Sequence, residues 1–314
     1  MFIWRRNSLG RAARAVLVPA LFLSTLAPGV ASASTPDDHP IRSSPQDERT
    51  PVAGAGYLAW AENQPDFPRR YVLWVKRFDG MRIRVNPGAT NAMAGGIDGT
   101  TLVYQQASGG RSEIRFYDLA TGVSRRAPRA VNSAARQFGP SLSGGWLLFT
   151  RQFAEPTVWK ILLYDMNTGR MRTLDRVSGP WARFAQSGQV AGDWATWQVC
   201  TPYCKVFVYR ISTRQTFLVP NPDRHFQYAP SVTADGSVYF AESHAACGGV
   251  TIRRYRAGGP PVTLAALAPT TDLSFMSARV LRNGGTELLY DATRCSDFSG
   301  DLRALTLEPP HPLP

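Results

Sequence analysis

Six short runs of one pattern, YLAWAE, TLVYQQ, WLLFTR, WATWQV, VYFAE and ELLYDA, recur along this chain and place an aromatic residue at Trp60, Tyr104, Phe149, Trp197, Phe240 and Tyr290. Successive aromatics are 44, 45, 48, 43 and 50 residues apart. A second ladder, Tyr117, Tyr164, Tyr209 and Tyr255, ends the following run at spacings of 47, 45 and 46. These runs are rich in aromatic, β-branched and Leu residues, too short for helices and without a 3.6-residue period, so they read as strands that want burial on both faces. Turn residues keep the same period: Gly56, Asp98-Gly99, Gly144-Gly145, Gly192-Asp193, Asp235-Gly236 and Gly284-Gly285 precede the runs, where positive φ and chain reversal come cheaply.

The stretch Pro140 to Leu174 shows the unit most clearly, with two apolar strands, two turns and a polar-alternating strand in 35 residues. A period in the forties with four strands per unit is that of a β-propeller, whose blades cannot bury both faces alone and stack about an axis. The expected fold is therefore all-β: a six-bladed β-propeller of four-stranded antiparallel blades over residues 51–308, at about 51–86, 92–128, 138–177, 187–219, 229–266 and 275–308. In each copy the first strand, rich in glycine and serine, belongs near the axis and the fourth, polar strand at the outer edge. The sixth copy has no clear fourth strand after Leu307, so residues around His39 to Ser44 are expected to cross over and close the ring.

Units of the form P-S-x-S-x-G, followed by a strand ending Y-D-x-x-T-G, occur at Pro140-Ser141-Leu142-Ser143-Gly144, Tyr164 to Gly169, Tyr117 to Gly122 and Pro230 to Gly236. They resemble the WD40-like (PD40-type) repeats of the TolB-like six-bladed propellers. The resemblance covers nearly the whole chain beyond the leader and implies the fold rather than an activity, since propellers host many functions. TolB carries an α/β domain before its propeller and this chain has a short linker there, so a Tol-Pal role is not expected.

Residues 1–33 differ from all that follows. Arg5, Arg6, Arg11 and Arg14 make a basic start, Ala15 to Val30 is apolar but interrupted by Pro19 and Pro28, and Ala31-Ser32-Ala33 offers a cleavage site. That is the form of a signal peptide, shorter in its apolar run than a membrane span. It implies a secreted or envelope-associated protein without stable membrane insertion. Residues 34–50 read as a polar linker with a second role as closing strand, and 309–314 as a tail. Removing the four leader arginines takes the net charge from +12 to +8, 31 basic against 23 acidic residues. The arginines are scattered along outer strands such as Met81 to Arg84, which fits solvated sheet edges and not a nucleic-acid footprint.

Four cysteines in an exported chain favour disulfides. Cys200 and Cys204 flank a three-residue hairpin mouth in the fourth copy, while Cys247 and Cys295 occupy the equivalent loops of the fifth and sixth. The expected pairs are 200 with 204 and 247 with 295. No metal or other cofactor is expected, because His39, His225, His244 and His311 show no ligand spacing.

The presumed axis segments PVAGA, NAMAGGI, FGPSLS, QSGQVA, APSVTA and FMSARVL hold no Asp or Glu, whereas a glycosidase needs a carboxylate pair. What remains is an aromatic beside a cation at three successive loops: Arg136 with Phe138, Trp181 with Arg183 and Phe184, and Arg224 with His225 and Phe226. These form the candidate ligand-binding rim, together with Tyr228 and Phe275, suited to stacking and charge-assisted hydrogen bonds with a protein or an envelope or glycan component. Glu62, Arg151 and Glu242, two residues past the aromatic ladder, are expected in interblade salt bridges. The reading is a monomeric, exported binding module and not an enzyme. Its rivals are a carbohydrate-active lyase or hydrolase using His225, Arg183, Asp223 and Asp272, and a purely structural envelope module.

Overall fold

The computed structural model describes residues 37–42, 44, 46–64, 67–77, 79–86, 88, 90–154, 157–179, 184–245 and 247–307. The leader, Trp181, Arg183 and the tail 309–314 lie outside the described residues. Strand β1 (Asp37–Arg42) comes first in the chain. Blade 1 consists of β2 (Glu48–Gly54), β3 (Tyr57–Gln64), β4 (Phe67–Arg77) and β5 (Arg82–Arg84). Blade 2 is β6 (Asn91–Asp98), β7 (Thr101–Ser108), β8 (Arg111–Asp118) and β9 (Ser124–Arg126). Blade 3 is β10 (Arg136–Ser143), β11 (Trp146–Phe153), β12 (Val158–Asp165) and β13 (Met171–Ser178). Blade 4 follows as β14 (Phe184–Ala191), β15 (Trp194–Cys200), β16 (Cys204–Arg210) and β17 (Gln215–Leu218). Blade 5 is β18 (Phe226–Val232), β19 (Val238–Ser243), β20 (Val250–Tyr255) and β21 (Val262–Ala266). Blade 6 has β22 (Thr271–Val280), β23 (Thr286–Arg294) and β24 (Gly300–Leu307), and β1 pairs antiparallel with β24 as its fourth strand.

The ring closes on itself. Each first strand touches those of the adjacent blades, β2 with β6 and so on round to β22 with β2. The closing strand starts two residues earlier than His39, with Asp37 opposite Thr306 and Arg42 opposite Leu302. Asp38 holds it: its carboxylate accepts from the Tyr290 hydroxyl at 2.9 Å and from Arg303 Nε at 3.0 Å.

The aromatic ladder explains why the blades stack. Trp60, Tyr104, Phe149, Trp197, Phe240 and Tyr290 are all buried almost completely, and each belongs to an apolar cluster drawn from its own blade and the blade before it. A fully buried aromatic removes some 150–250 Å² from water, so each seam is held by an apolar wedge that no single blade could bury alone.

Every first strand carries a β-bulge midway, between Arg49 and Val52, Ala94 and Gly96, Phe138 and Ser141, Ser187 and Val190, Tyr228 and Ser231, and Leu273 and Met276. A bulge bends a strand and frees amides from the ladder. In blades 1, 3 and 5 the residue ahead of the bulge proline takes positive φ, Thr50 at +49, Gly139 at +50 and Ala229 at +49. The freed amides are met by the residue that follows the ladder aromatic in the blade before: Gly139 N donates to Gln105 Oε1 at 3.3 Å, Ser187 N to Thr150 Oγ1 at 2.7 Å and Ala229 N to Gln198 Oε1 at 2.7 Å. The same position thus supplies an apolar wedge and, one residue on, a polar lock.

Candidate functional site

In an antiparallel meander the start of the first strand and the connection between the second and third lie at the same end of the blade. That end carries both disulfides, Cys200 with Cys204 inside blade 4 and Cys247 with Cys295 between blades 5 and 6. A contact between Tyr203, in the Cys200–Cys204 loop, and Phe226, at the start of β18, confirms the shared face, with ring centroids 5.8 Å apart.

A cavity of about 480 Å3 occupies the axis at this mouth and draws its walls from blades 1, 2, 3, 4 and 6. Its apolar lining is Phe138, Pro140, Trp159, Phe184, Met93 and Phe275. Trp159 is the centre of this wall, 5.8 Å from the Phe138 ring and 6.4 Å, edge-on, from that of Phe184. The guanidinium of exposed Arg136 lies 5.1 Å over Phe138. Of the candidate rim, Phe138, Phe184 and Phe275 line this cavity and Arg136 stacks over Phe138, while Tyr228 does not line it and donates its hydroxyl to Asp272 Oδ1 at 2.7 Å.

Arg224, His225 and Phe226 do not line this cavity. They form a second group between blades 4 and 5. Arg224 is exposed with φ +56, Phe226 packs on Tyr203, and the His225 ring lies 3.9 Å from that of His244. His225 Nδ1 is 3.3 Å from Glu242 Oε1, which also receives Arg253 Nη1 at 2.6 Å. Glu242 is thus paired within its own blade and not across a seam. Glu62 binds Arg82 of its own blade and also makes the expected interblade salt bridge, to Arg42 at 2.8 Å on the closing strand that completes blade 6. Arg151 donates instead to the backbone carbonyls of Ala130 and Val131, in the segment that leads from blade 2 into blade 3.

Arg49 and Tyr71, polar groups at the cavity, are tied to the framework. Arg49, from β2, reaches across the seam to blade 6, with Nη1 2.6 Å from Thr293 Oγ1, while its Nε is 2.7 Å from Asp47. Tyr71 donates to Asp47, and burial together with that bond pushes its hydroxyl up to about 12. Behind them lies Asp291, fully buried, which accepts from Ser274 N at 2.8 Å, Ser274 Oγ at 2.9 Å and Phe275 N at 2.9 Å. Burial pushes its carboxyl up to about 6, against the opposing pull of Arg49 and these donors. The short axis segments had suggested no carboxylate near the axis. The inner strands are in fact longer and include Glu48 and Asp272, and Asp291 arrives from the neighbouring strand. None of the three lines the cavity.

Trp159, Arg49, Tyr71 and Asp291 were not singled out by the sequence. Trp159 is the second residue of β12, whose apolar run begins at Ile161, and the strand's start at Val158, toward the mouth, brings it to the site. Among the described lining residues there is one cation and no carboxylate or imidazole, and the aromatic wall offers stacking and apolar burial. Among the described residues no group of three or more His, Cys, Asp or Glu is placed to hold a metal ion.

No protein-family model matches the chain, and no curated protein matches it in sequence. Solved structures share its fold. TolB from Acinetobacter baumannii superposes with a TM-score of 0.56 at 16% identity, over 81% of this chain and 64% of that one. An oligogalacturonate lyase in complex with manganese gives 0.55 at 9% identity, covering 88% and 94%. The β-propeller domain of the Trilobed protease from Pyrococcus furiosus, which has an open velcro topology, gives 0.53 at 12%, covering 83% and 95%. The chain spans 64% of the length of that TolB. Similarity at these identities extends to the propeller fold and leaves the site to be read from its own residues.

Proposed function

We propose that this chain is an exported binding module that recognises a protein or cell-envelope component at the cysteine-bearing mouth of the propeller, without catalysing a reaction. The observation that carries the reading is the axial cavity, in which Phe138, Trp159 and Phe184 form a continuous aromatic wall and Arg49, Tyr71, Gln105 and Thr150 are bonded to the frame. Arg136 beside it favours partners with an acidic flank. Export is supported by the basic and apolar leader and by two disulfides, which persist in oxidising compartments.

The test uses a small aromatic probe, 4-ethylphenol, titrated calorimetrically into the wild type and into Phe138→Ala with Trp159→Ala. Saturable binding that is lost in the double variant and kept in a Tyr203→Ala control supports the reading. Binding unaffected by the double variant would count against it. The lyase alternative is checked on the same samples by incubation with polygalacturonan: unsaturated products that disappear in His225→Ala would replace binding by catalysis.

A further inference from the structure

Six inner strands surround the axis, and at their bulges the chain places Pro51, Gly95, Pro140, Gln189, Pro230 and Phe275. Proline and glycine cannot reach across the lumen. Gln189 and Phe275 have the length to project into it.

Gln189 leaves blade 4. Its Oε1 accepts from Ser231 Oγ and from Val232 N (3.4 Å) in blade 5, and from Ala278 N (3.2 Å) in blade 6, while Nε2 donates to Ala278 O at 3.2 Å. Blades 4 and 6 are not neighbours, so a side chain bonded to both crosses the lumen in front of blade 5. Phe275 leaves blade 6, packs against the cluster of blades 1 and 2 that contains Val52 and Ala94, and lines the cavity together with residues of blades 1 to 4. The cavity ends at this level: Pro140, Gly188 and Phe275 line it, and Ser141, Gln189 and Met276 do not.

We propose that Phe275 and Gln189 close the axial lumen, making the mouth cavity a blind pocket that takes the end of a neutral, apolar ligand group and lets nothing thread through. The inference rests on the binding reading of the same cavity. Neutrality follows from the lining: Arg49 is held by Asp47 and Thr293, Tyr71 by Asp47, Thr150 by Ser187 and Gln105 by the Gly139 amide. A charged ligand would have to break these bonds or stay unpaired in an aromatic enclosure, both costly. An apolar end needs only to displace water.

The experiment is a chain-length series of 4-n-alkylphenols, methyl to decyl, titrated into the wild type, Gln189→Gly, Gln189→Ala and Gln189→Met. Affinity is expected to rise about fourfold for each methylene until the chain meets the floor, and then to level. In Gln189→Gly or Gln189→Ala the break moves to chains at least two carbons longer, whereas Gln189→Met, which refills the lumen, keeps the wild-type break. Thermal melts identify the variants that are folded, and either small residue suffices. No break in the wild type, or an unmoved break in both folded small-residue variants, would overturn the blind floor while leaving the binding reading intact. Failure of the whole series to bind the wild type would overturn both. An ω-carboxylated series binding as tightly as the neutral one would refute neutrality.

Discussion

Asp291 lies at the seam where the last blade meets the first, and its surroundings give that seam a pH dependence with a definite sign. Its folded pKa, about 6, stands above the ordinary aspartate value near 3.8 because the carboxyl is buried. The native state therefore binds the proton more tightly than the unfolded chain. Its contribution to stability is fully present below about pH 4 and is lost as pH rises through about 6, by on the order of 2 kcal/mol. Urea unfolding between pH 4 and 7 is expected to show this loss in the wild type and a flatter profile in Asp291→Asn; parallel profiles would refute it. A second residue-scale expectation concerns the ladder. Phe149, fully buried, is replaced by Ala at a cost of about 3–5 kcal/mol, while Met81→Ala, at an 89% exposed position, stays within about 0.5 kcal/mol. The ladder was legible because an aromatic repeated every mid-forties residues has one plausible use. Asp291 and Arg49 were not, since they are 242 positions apart in the chain and meet only because the ring closes.

At the scale of the element, the bulge is the feature that periodicity did not reveal, although it sets which side chains face the lumen. Gly95 sits in the bulge of β6, where an added Cβ would lie 2.1 Å from Pro140 O, a backbone atom of the next blade that cannot swing away. Gly99, in the following turn at φ +55, has open space around it. Gly95→Ala is therefore expected to lower stability by at least about 2 kcal/mol and Gly99→Ala by about 1 kcal/mol, the left-handed penalty alone; equal losses in chemical denaturation would refute the interblade contact. The closing strand makes a parallel claim. Removal of residues 37–42 exposes the edge of β24 and deletes the bonds of Asp38 to Tyr290 and Arg303, so the melting temperature falls clearly, and an unchanged value would show that β1 does not hold the ring. The crossover itself was legible from the missing fourth strand of the last copy, but its start at Asp37 depends on a pairing register that the sequence leaves open.

For the whole molecule, architecture and site differ in how they are written. The propeller is encoded six times over, so errors at one copy are corrected by the others. The mouth is encoded once: Trp159, Phe275 and Gln189 occupy positions where the remaining blades carry other residues, and no repeat points to them. Arg136, Phe138 and Phe184 were found because an aromatic near a cation is visible in a loop, yet the same signal also selected Arg224, His225 and Phe226, which pack elsewhere. The two disulfides act at this scale too. Cys247–Cys295 spans 48 residues and ties blade 5 to blade 6, Cys200–Cys204 spans 4 within one hairpin. On chain-entropy grounds the first contributes about 4 kcal/mol and the second about 2, so Cys247→Ser with Cys295→Ser is expected to lower the unfolding free energy roughly twice as much as the Cys200 and Cys204 pair. The central claim is that the aromatic cavity at the mouth is where this protein binds. Crystals soaked with a set of small neutral aromatic fragments test it most directly: the account predicts density between Phe138, Trp159 and Phe184 that ends above Phe275, and fragments found only at other surfaces, with this cavity filled by water alone, would contradict it.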